Sequence, residues 1–384
     1  MTFLIFVIIL AVLVLSHELG HFLVAKLFGI RVDEFGFGFP PKIFSRKYGE
    51  TTYSLNLLPL GGFVKIFGED PTHEVLDKNH VDFNRSLYHK PRYIQAAVIV
   101  AGVLFNLILG FAMLSGGFMA GLPVPAGFTE LGPKPEDSKL IITGILKDSP
   151  AELAGLKTGY NIVFLSTKDS SIQIMDPEKV SEFISINKNK EVFVGYKIPL
   201  ESGLLADIGL GPLDFKPETK TISIVPKEGI ISGRAGIGIS MDLVGILKLP
   251  FFQALYAGAT GAYYLFTNTL SGLYQFVAGL FSGESVGMSV SGPVGLVGVV
   301  GSAAHFGLAY LLALTALISI NLAVLNLVPF PALDGGRLFL ILVESVIRKP
   351  LDPKIVNTLN VGGFVILLCL MIFVTYGDIV KLMS

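Results

Sequence analysis

The sequence predicts a polytopic α-helical membrane protein with four transmembrane helices, a membrane-associated β-loop region and an inserted α+β domain. Three observations carry that prediction. Of the 384 residues, 52% are hydrophobic and only 15% charged, where a soluble globular chain has about a quarter charged. Four apolar stretches are long enough to cross about 30 Å of hydrocarbon at ~1.5 Å per residue. One long polar segment, rich in short apolar alternations, interrupts them.

The four stretches run from Met1 to Ser16 and on through HELGH, from Tyr93 to Leu122, from Ala303 to Leu333, and from Ile355 to Gly377. The first lacks the basic start and the A-x-A-like exit of a cleaved signal peptide, and it runs directly into His17 and Glu18. The chain is accordingly divided into 1–28 (span one), 29–95 (a cytoplasm-facing β-loop region), 96–122 (span two), 123–240 (an extracytoplasmic domain), 241–302 (an interfacial helix and loop), 303–334 (span three), 335–354 (a cytoplasmic connection) and 355–384 (span four and tail).

Residues 29–95 combine Gly and Pro punctuation (GFGFPP, LPLGGF) with β-favouring runs (TTYSLNLL, FVKIF), the pattern of a short sheet or hairpin. This loop carries nine Lys or Arg beside eight acidic residues, and Arg337, Arg348, Lys349 and Lys354 lie between spans three and four. That bias places both connections in the cytoplasm and both termini outside. Residues 130–230 contain LIITGIL, NIVFL, EVFVGYKI and KTISIV among Lys, Asp, Glu and Ser, a soluble domain with strands. Residues 249–283 also lack charge, but Gln253, Thr260 and Asn268 among Phe251, Phe252, Tyr256 and Tyr263 suit a helix in the interface or leaning on the bundle. The single cysteine, Cys369, leaves no disulfide framework, and a net charge of -1 offers no electrostatic footprint for nucleic acid.

HELGH at 17–21 is an HExxH pattern. On a helix, positions i and i+4 share a face, so His17 and His21 can hold one Zn²⁺ while Glu18, on the adjacent flank, takes a proton from metal-bound water. Two imidazoles and a carboxylate at hydrocarbon depth cost several kcal/mol unless paired or metal-bound, which weakens the bland alternatives of a proton relay or a packing triad. Fifteen residues precede Ser16, or ~22 Å of helix, so the site lies past the midplane in the cytoplasmic half. A catalytic zinc wants a third protein ligand. Asp334 is the best candidate, because Pro329 and Pro331 break the third span just before it and Gly335 and Gly336 follow. Glu344 is weaker, since it can pair with Arg348 at i+4. A fifth span at 249–283 would invert span three and carry Asp334 to the opposite face, which is why four spans are expected.

DSPAELAGLKTGYNIVFL within the polar domain resembles a PDZ module of the bacterial membrane-protease type, with Tyr160 where such modules usually have aspartate. An early HExxH, a central PDZ region and a late N-x-x-P-x-P-x-L-D-G-G together resemble the site-2 protease family of intramembrane zinc metalloproteases, and the similarity is closest to bacterial regulated intramembrane proteases of the RseP type with a single PDZ module. The resemblance implies zinc held by His17, His21 and Asp334, with Glu18 as base. It also implies that Asn326 and a membrane-reentrant β-loop around Gly61, Gly62, Phe63 and Val64 bind extended substrate backbone. It further implies location in the bacterial inner membrane, and single-span substrates already trimmed by another protease, such as anti-sigma factors, or remnant signal peptides. AGVLFN at 101–106 echoes a family string but has Val103 where proline is common, and SGPVG at 291–295 echoes another. Two rivals remain at this stage: a membrane-anchored PDZ binding protein or chaperone with a non-catalytic metal site, and a metal transporter, which would need ligands strung along a pathway.

Overall fold

The structure is a computed structural model and describes residues 2–69, 81–126, 135–173, 176–198, 218–231, 234–282, 292–305 and 307–383. Among the described residues, four helices are long and apolar enough to cross a membrane: Thr2–Leu27, Arg92–Ala120, Leu308–Leu327 and the Pro353–Val380 part of the last helix. The chain separates into two compact units, one made of residues 1–114, 258–301 and 314–384 and the other of residues 115–257 and 302–313.

In the first unit, α1 (Thr2–Leu27) contains no proline. It ends where Gly29 takes a left-handed φ of 67°. The Ile30 N–H then returns to the Ala25 carbonyl at 2.9 Å and the Gly29 N–H to Lys26 at 3.0 Å, the double closure of a Schellman cap. The second helix, α2 (Arg92–Ala120), starts behind Pro91, whose fixed φ and missing N–H suit a helix start. Gly20 of α1 faces the Ala101 carbonyl of α2 so closely that a β-carbon there would collide with it. Small residues at this crossing let the two backbones approach.

Between α1 and α2 lie two long bent strands, β1 (Val32–Tyr48) and β2 (Thr51–Ile66). Their far halves form a hairpin, with Tyr48 opposite Thr51 and Phe44 opposite Leu55, while residues 34–37 partner 52–55 in rising register on one side and 62–65 in falling register on the other. Residues 62–65 are thus an outer arm, and no further strand pairs with them among the described residues. Val32, Val64 and Ile66 from this sheet pack with Ala25, Ile30, Leu87, Ile94 and Val98 in one buried cluster. The β-rich loop expected between spans one and two is therefore a sheet seated on the end of α1 and the start of α2.

The expected third span is subdivided. A helix over Pro293–His305, α6, ends before Gly307 at φ 101°, and the apolar span α7 (Leu308–Leu327) begins after it. Its boundary is therefore five residues later than the sequence suggested, because glycine in that conformation closes one helix before the next starts. Pro329 and Pro331 cannot continue α7, and Asp334 opens a new helix, α8 (Asp334–Ile347), where a plain connection was expected. The pairing expected between Glu344 and Arg348 is replaced by another. Arg348 leaves the helix with φ 58°, and Glu344 instead meets Arg92 at 2.8 Å and accepts from the Leu351 N–H at 2.9 Å. The final helix, α9, covers Pro353–Met383. Asp378 on α9 accepts from the Gly292 and Gly295 N–H groups at 3.1 and 2.8 Å, capping the start of α6 within SGPVG. Ser291, the first residue of SGPVG, and Asp70, the last of GGFVKIFGED at 61–70, which resembles the family's membrane-reentrant β-loop, lie outside the described residues.

The uncharged stretch near 249–283 forms one helix, α5 (Phe251–Ser282), which is not among the four candidate spans. Ala262, Leu265 and Phe266 pack against Leu114, Ala316 and Ile320, and the Thr269 hydroxyl donates to Asn321 of α7 at 2.7 Å.

The second unit is built on a sheet of strand order β3-β11-β4-β5-β7-β8, with β6 (Ser171–Gln173) beside β5. These strands are β3 (Leu122–Pro125), β4 (Glu136–Ile145), β5 (Asn161–Ser166), β7 (Val192–Lys197), β8 (Thr219–Ile224) and β11 (Ile239–Leu247); a separate pair joins β9 (Lys227–Ile231) and β10 (Arg234–Gly236). Two helices complete it, α3 (Pro150–Leu153) and α4 (Pro177–Ile186). Ser149 caps the first by accepting from the Glu152 N–H, and Asp176 caps the second through Glu178. Leu140, Ile142, Ile162, Leu165, Val180, Val192 and Val194 fill the core. Gly155 and Gly159, with φ of 87° and 92°, make the two turns of the AGLKTG string. Tyr160 stacks face to face on Tyr196 at 5.1 Å, so the residue that departs from the usual aspartate supports strand packing.

The tip of the β1–β2 hairpin is anchored by an ion-pair network. Lys26 and Arg85 both meet Glu50 at 2.5 Å, and Arg31 and Arg85 meet Asp82 at 2.9 and 3.1 Å. The hydrogen bonds from Lys26 and then Arg85 hold the Glu50 carboxyl below the usual carboxylate range, and Arg31 does most to lower Asp82. A carboxylate whose folded pKa is depressed adds stability that is complete above its unfolded pKa of about 4, and that stability is lost as pH falls through the depressed value. We expect the full chain in detergent to melt higher than its Glu50→Gln variant at neutral pH, with the gap closing as pH drops below the ordinary carboxylate range. A gap that is unchanged at low pH would contradict the assignment.

Candidate metal centre

The middle of α1 is apolar except for Ser16, His17, Glu18 and His21. Helical spacing turns both imidazoles the same way, and their rings meet edge to face with centroids 4.8 Å apart. The two Nε2 atoms lie 3.2 Å from each other. Asp334, the first residue of α8, enters from the far end of the chain. Its Oδ2 stands 3.0 Å from His17 Nε2 and 3.4 Å from His21 Nε2. The chain can deliver it there because Gly335 and Gly336 pack against the Val328 and Phe330 carbonyls, where any β-carbon would collide, and because Ala332 accepts a left-handed φ of 75°.

Whether a cation suits this cluster can be judged from its own hydrogen bonds. His21 Nδ1 sits 2.8 Å from the Val98 carbonyl, which can only accept, so the neutral ring carries its proton on Nδ1 and turns a lone pair outward from Nε2. Asp334 Oδ2 is buried and has no hydrogen-bond partner among the described residues. The ligand-type atoms of His17, His21 and Asp334 all lie within 4.8 Å of one another. His21 Nε2 and Asp334 Oδ2, both acceptors, meet His17 Nε2 at a position that a divalent cation fits, and two imidazoles with one carboxylate are a donor set for zinc.

The cluster opens into a cavity of about 330 Å³, lined by His17, Glu18, His21 and Asp334 and by Gly62, Phe63 and Val64 of the outer arm of β2. Gly62 is held against α1: a β-carbon there would lie 2.6 Å from Val14 Cγ1 and 3.2 Å from Glu18 Cγ. The base candidate and the strand are therefore neighbours. Gly61 and Asn326 are not among the residues that line the cavity. Asn326 is half-buried in the last turn of α7.

Several residues that frame the site were not singled out from sequence, or were named without a role. Gly102 of α2 faces both imidazoles, and a β-carbon there would run into His21 Nε2 and His17 Cε1. Asn106, one turn further on and fully buried, brings its side-chain amide to 3.2 Å from His17 Nδ1. The available signal was the four-residue spacing of Gly102 and Asn106 within AGVLFN, which puts them on one helix face. Arg337, one turn after Asp334, pairs with Glu69 and also donates to the Glu69 carbonyl at 2.6 Å, tying α8 to the end of the β region. Residues so distant in sequence give no local sign of such a tie.

The profile of Peptidase family M50 matches residues 5–370. A Clostridium perfringens protein, named provisionally as a zinc metalloprotease, is 34% identical over 368 residues, covering 96% of this chain and 95% of its own. A Fusobacterium nucleatum protein with the same provisional name is 32% identical over 390 residues and covers both chains completely. Zinc metalloprotease RasP of Geobacillus kaustophilus is 28% identical over 451 residues, covering 98% and 97%. This chain belongs to Peptidase family M50.

Proposed function

We propose that the chain is a zinc-dependent metalloendopeptidase of the membrane, cutting peptide bonds in or near the transmembrane segments of single-span proteins. His17, His21 and Asp334 would hold the metal and Glu18 would serve as general base. One observation carries the reading. A buried, unpartnered carboxylate oxygen 334 residues into the chain stands 3.0 and 3.4 Å from the Nε2 atoms of an HExxH pair. The naming of M50 relatives as zinc metalloproteases supports it independently.

When bound, Zn²⁺ supplies a Lewis acid that polarises the scissile carbonyl and makes water a stronger acid. The protein's own groups do the rest. Glu18, in the cavity wall beside both imidazoles, accepts the proton of the attacking water and passes it to the departing amine nitrogen. A substrate helix keeps its carbonyls in internal hydrogen bonds, so it must unwind before it can be cut. The outer arm of β2 supports a route for that: its free edge at 62–65 lies along the cavity, and an unwound segment pairing with it would regain its lost backbone hydrogen bonds by β-augmentation. Asn326 is proposed as a second support for the extended backbone.

The four apolar helices support a place in the bacterial inner membrane. The basic residues of 29–95 and 335–354 favour a cytoplasmic side for those connections and an extracytoplasmic side for residues 123–240. We read the β4–β8 sheet with its two helices as a PDZ module, supported by the capped SPAEL turn and the paired left-handed glycines. Substrates already shortened by another protease, anti-sigma factors or remnant signal peptides, are the proposed class.

Replacing Glu18 by Gln should leave zinc content at the wild-type level, measured by elemental analysis of detergent-purified protein, while cleavage of a model single-span substrate falls by at least ~100-fold, the usual weight of a general base. Continued cutting would remove Glu18 from the mechanism. Replacing Gly62 by Val should push the strand from α1 and reduce cleavage about tenfold or more with zinc retained; full activity in that variant would contradict a role for the strand edge.

A further inference from the structure

Resting on the metal site proposed above, we infer that Asn106 is the positioning residue for His17, its side-chain oxygen accepting the His17 Nδ1–H so that Nε2 is free to bind metal. The argument starts from the other imidazole. Val98 gives His21 a pure acceptor at 2.8 Å, and that contact alone fixes which nitrogen faces the metal position. His17 has no backbone carbonyl in that role. At the equivalent place it has the Asn106 amide, placed with Nδ2 3.2 Å from Nδ1.

An amide can meet Nδ1 in two ways. If its NH₂ donates, Nδ1 carries the lone pair and the neutral ring's proton sits on Nε2, aimed at His21 Nε2 3.2 Å away and at Asp334. That arrangement excludes a metal bond from His17. If the amide is turned by half a rotation, its oxygen accepts from Nδ1–H and Nε2 offers its lone pair, as in His21. The two orientations place heavy atoms almost identically, and only the hydrogen-bond network distinguishes them. A metal position shared with His21 Nε2 and Asp334 Oδ2 requires the second.

The surroundings show that this amide is held for His17. Asn106 is fully buried, and among the described residues its Oδ1 has no hydrogen-bond partner as placed, so its side chain serves the imidazole alone. A buried polar group with so few partners is destabilising and persists where it has a task. The Ser319 hydroxyl, itself fully buried, donates to the Asn106 carbonyl at 2.7 Å and fixes that turn of α2. Val98, Gly102 and Asn106 are spaced four residues apart. One stripe of α2 therefore orients His21, clears room for both rings and orients His17, the supporting shell that metal-bound histidines ordinarily require.

The test is zinc affinity of the full chain in detergent, read by competition with a chromophoric chelator. Asn106→Leu, similar in size but without an acceptor, should weaken binding roughly 10- to 100-fold. Asn106→Asp, with oxygen at both positions, should keep or tighten it. If an acceptor at this position were not what His17 needs, both variants would weaken alike; that result, or an unchanged affinity in Asn106→Leu, overturns the inference. Should the leucine variant fail to fold, the aspartate variant decides by itself. Absence of zinc from the wild type would instead refute the metal site, a distinguishable failure.

Discussion

The structure depends on bringing an acidic oxygen from position 334 to two imidazole nitrogens at positions 17 and 21, inside helices that are otherwise apolar. Such a cluster is unfavourable in hydrocarbon unless its lone pairs converge on a cation. Most unusual local features of the first unit follow from that need. α1 must carry polar residues mid-span, α2 must come close enough to orient them, and the chain after α7 must stop being helical at the depth where the carboxylate is required.

Each of these is achieved by removing bulk or regularity. Gly20 and Gly102 bring α2 against α1 where side chains would hold them apart. Pro329, Pro331 and left-handed Ala332 break the helical path, and Gly335 and Gly336 allow the next helix to start tightly against the carbonyls just passed. Gly62 does the same for the β region, letting a strand lie against the helix that bears Glu18. Irregular backbone at membrane depth is tolerable only beside protein or a polar cavity, and the 330 Å³ cavity provides that setting. Arg337, bound to Glu69, ties α8 to the end of the β region in the cavity wall.

Much of this was legible in the sequence because the signals are local. Charge-free stretches marked the four helices, HExxH fixed the two imidazoles, and the prolines before LDGG pointed to Asp334. The strands of the polar segment were visible as alternations, and DSPAELAGLKTGYNIVFL reads as a loop, a short helix and a tight turn into a strand. What remained hidden is non-local. No periodicity announces that residues 34–37 have partners on both sides, leaving 62–65 as an outer arm, or that Glu344 turns to Arg92 once Arg348 leaves the helix. The Gly307 break was invisible because apolar residues continue on both sides of it. Gly102 and Asn106 were legible as a spacing, but their purpose needed the position of the imidazoles.

The most direct test of the shared coordination sphere is X-ray absorption at the zinc edge of the purified chain, wild type beside Asp334→Ala. The account predicts a first shell of two imidazole nitrogens with oxygen donors in the wild type, and loss of an oxygen donor or of the metal in the variant. A sulfur-containing shell, or a wild-type spectrum that persists unchanged without Asp334, would contradict it.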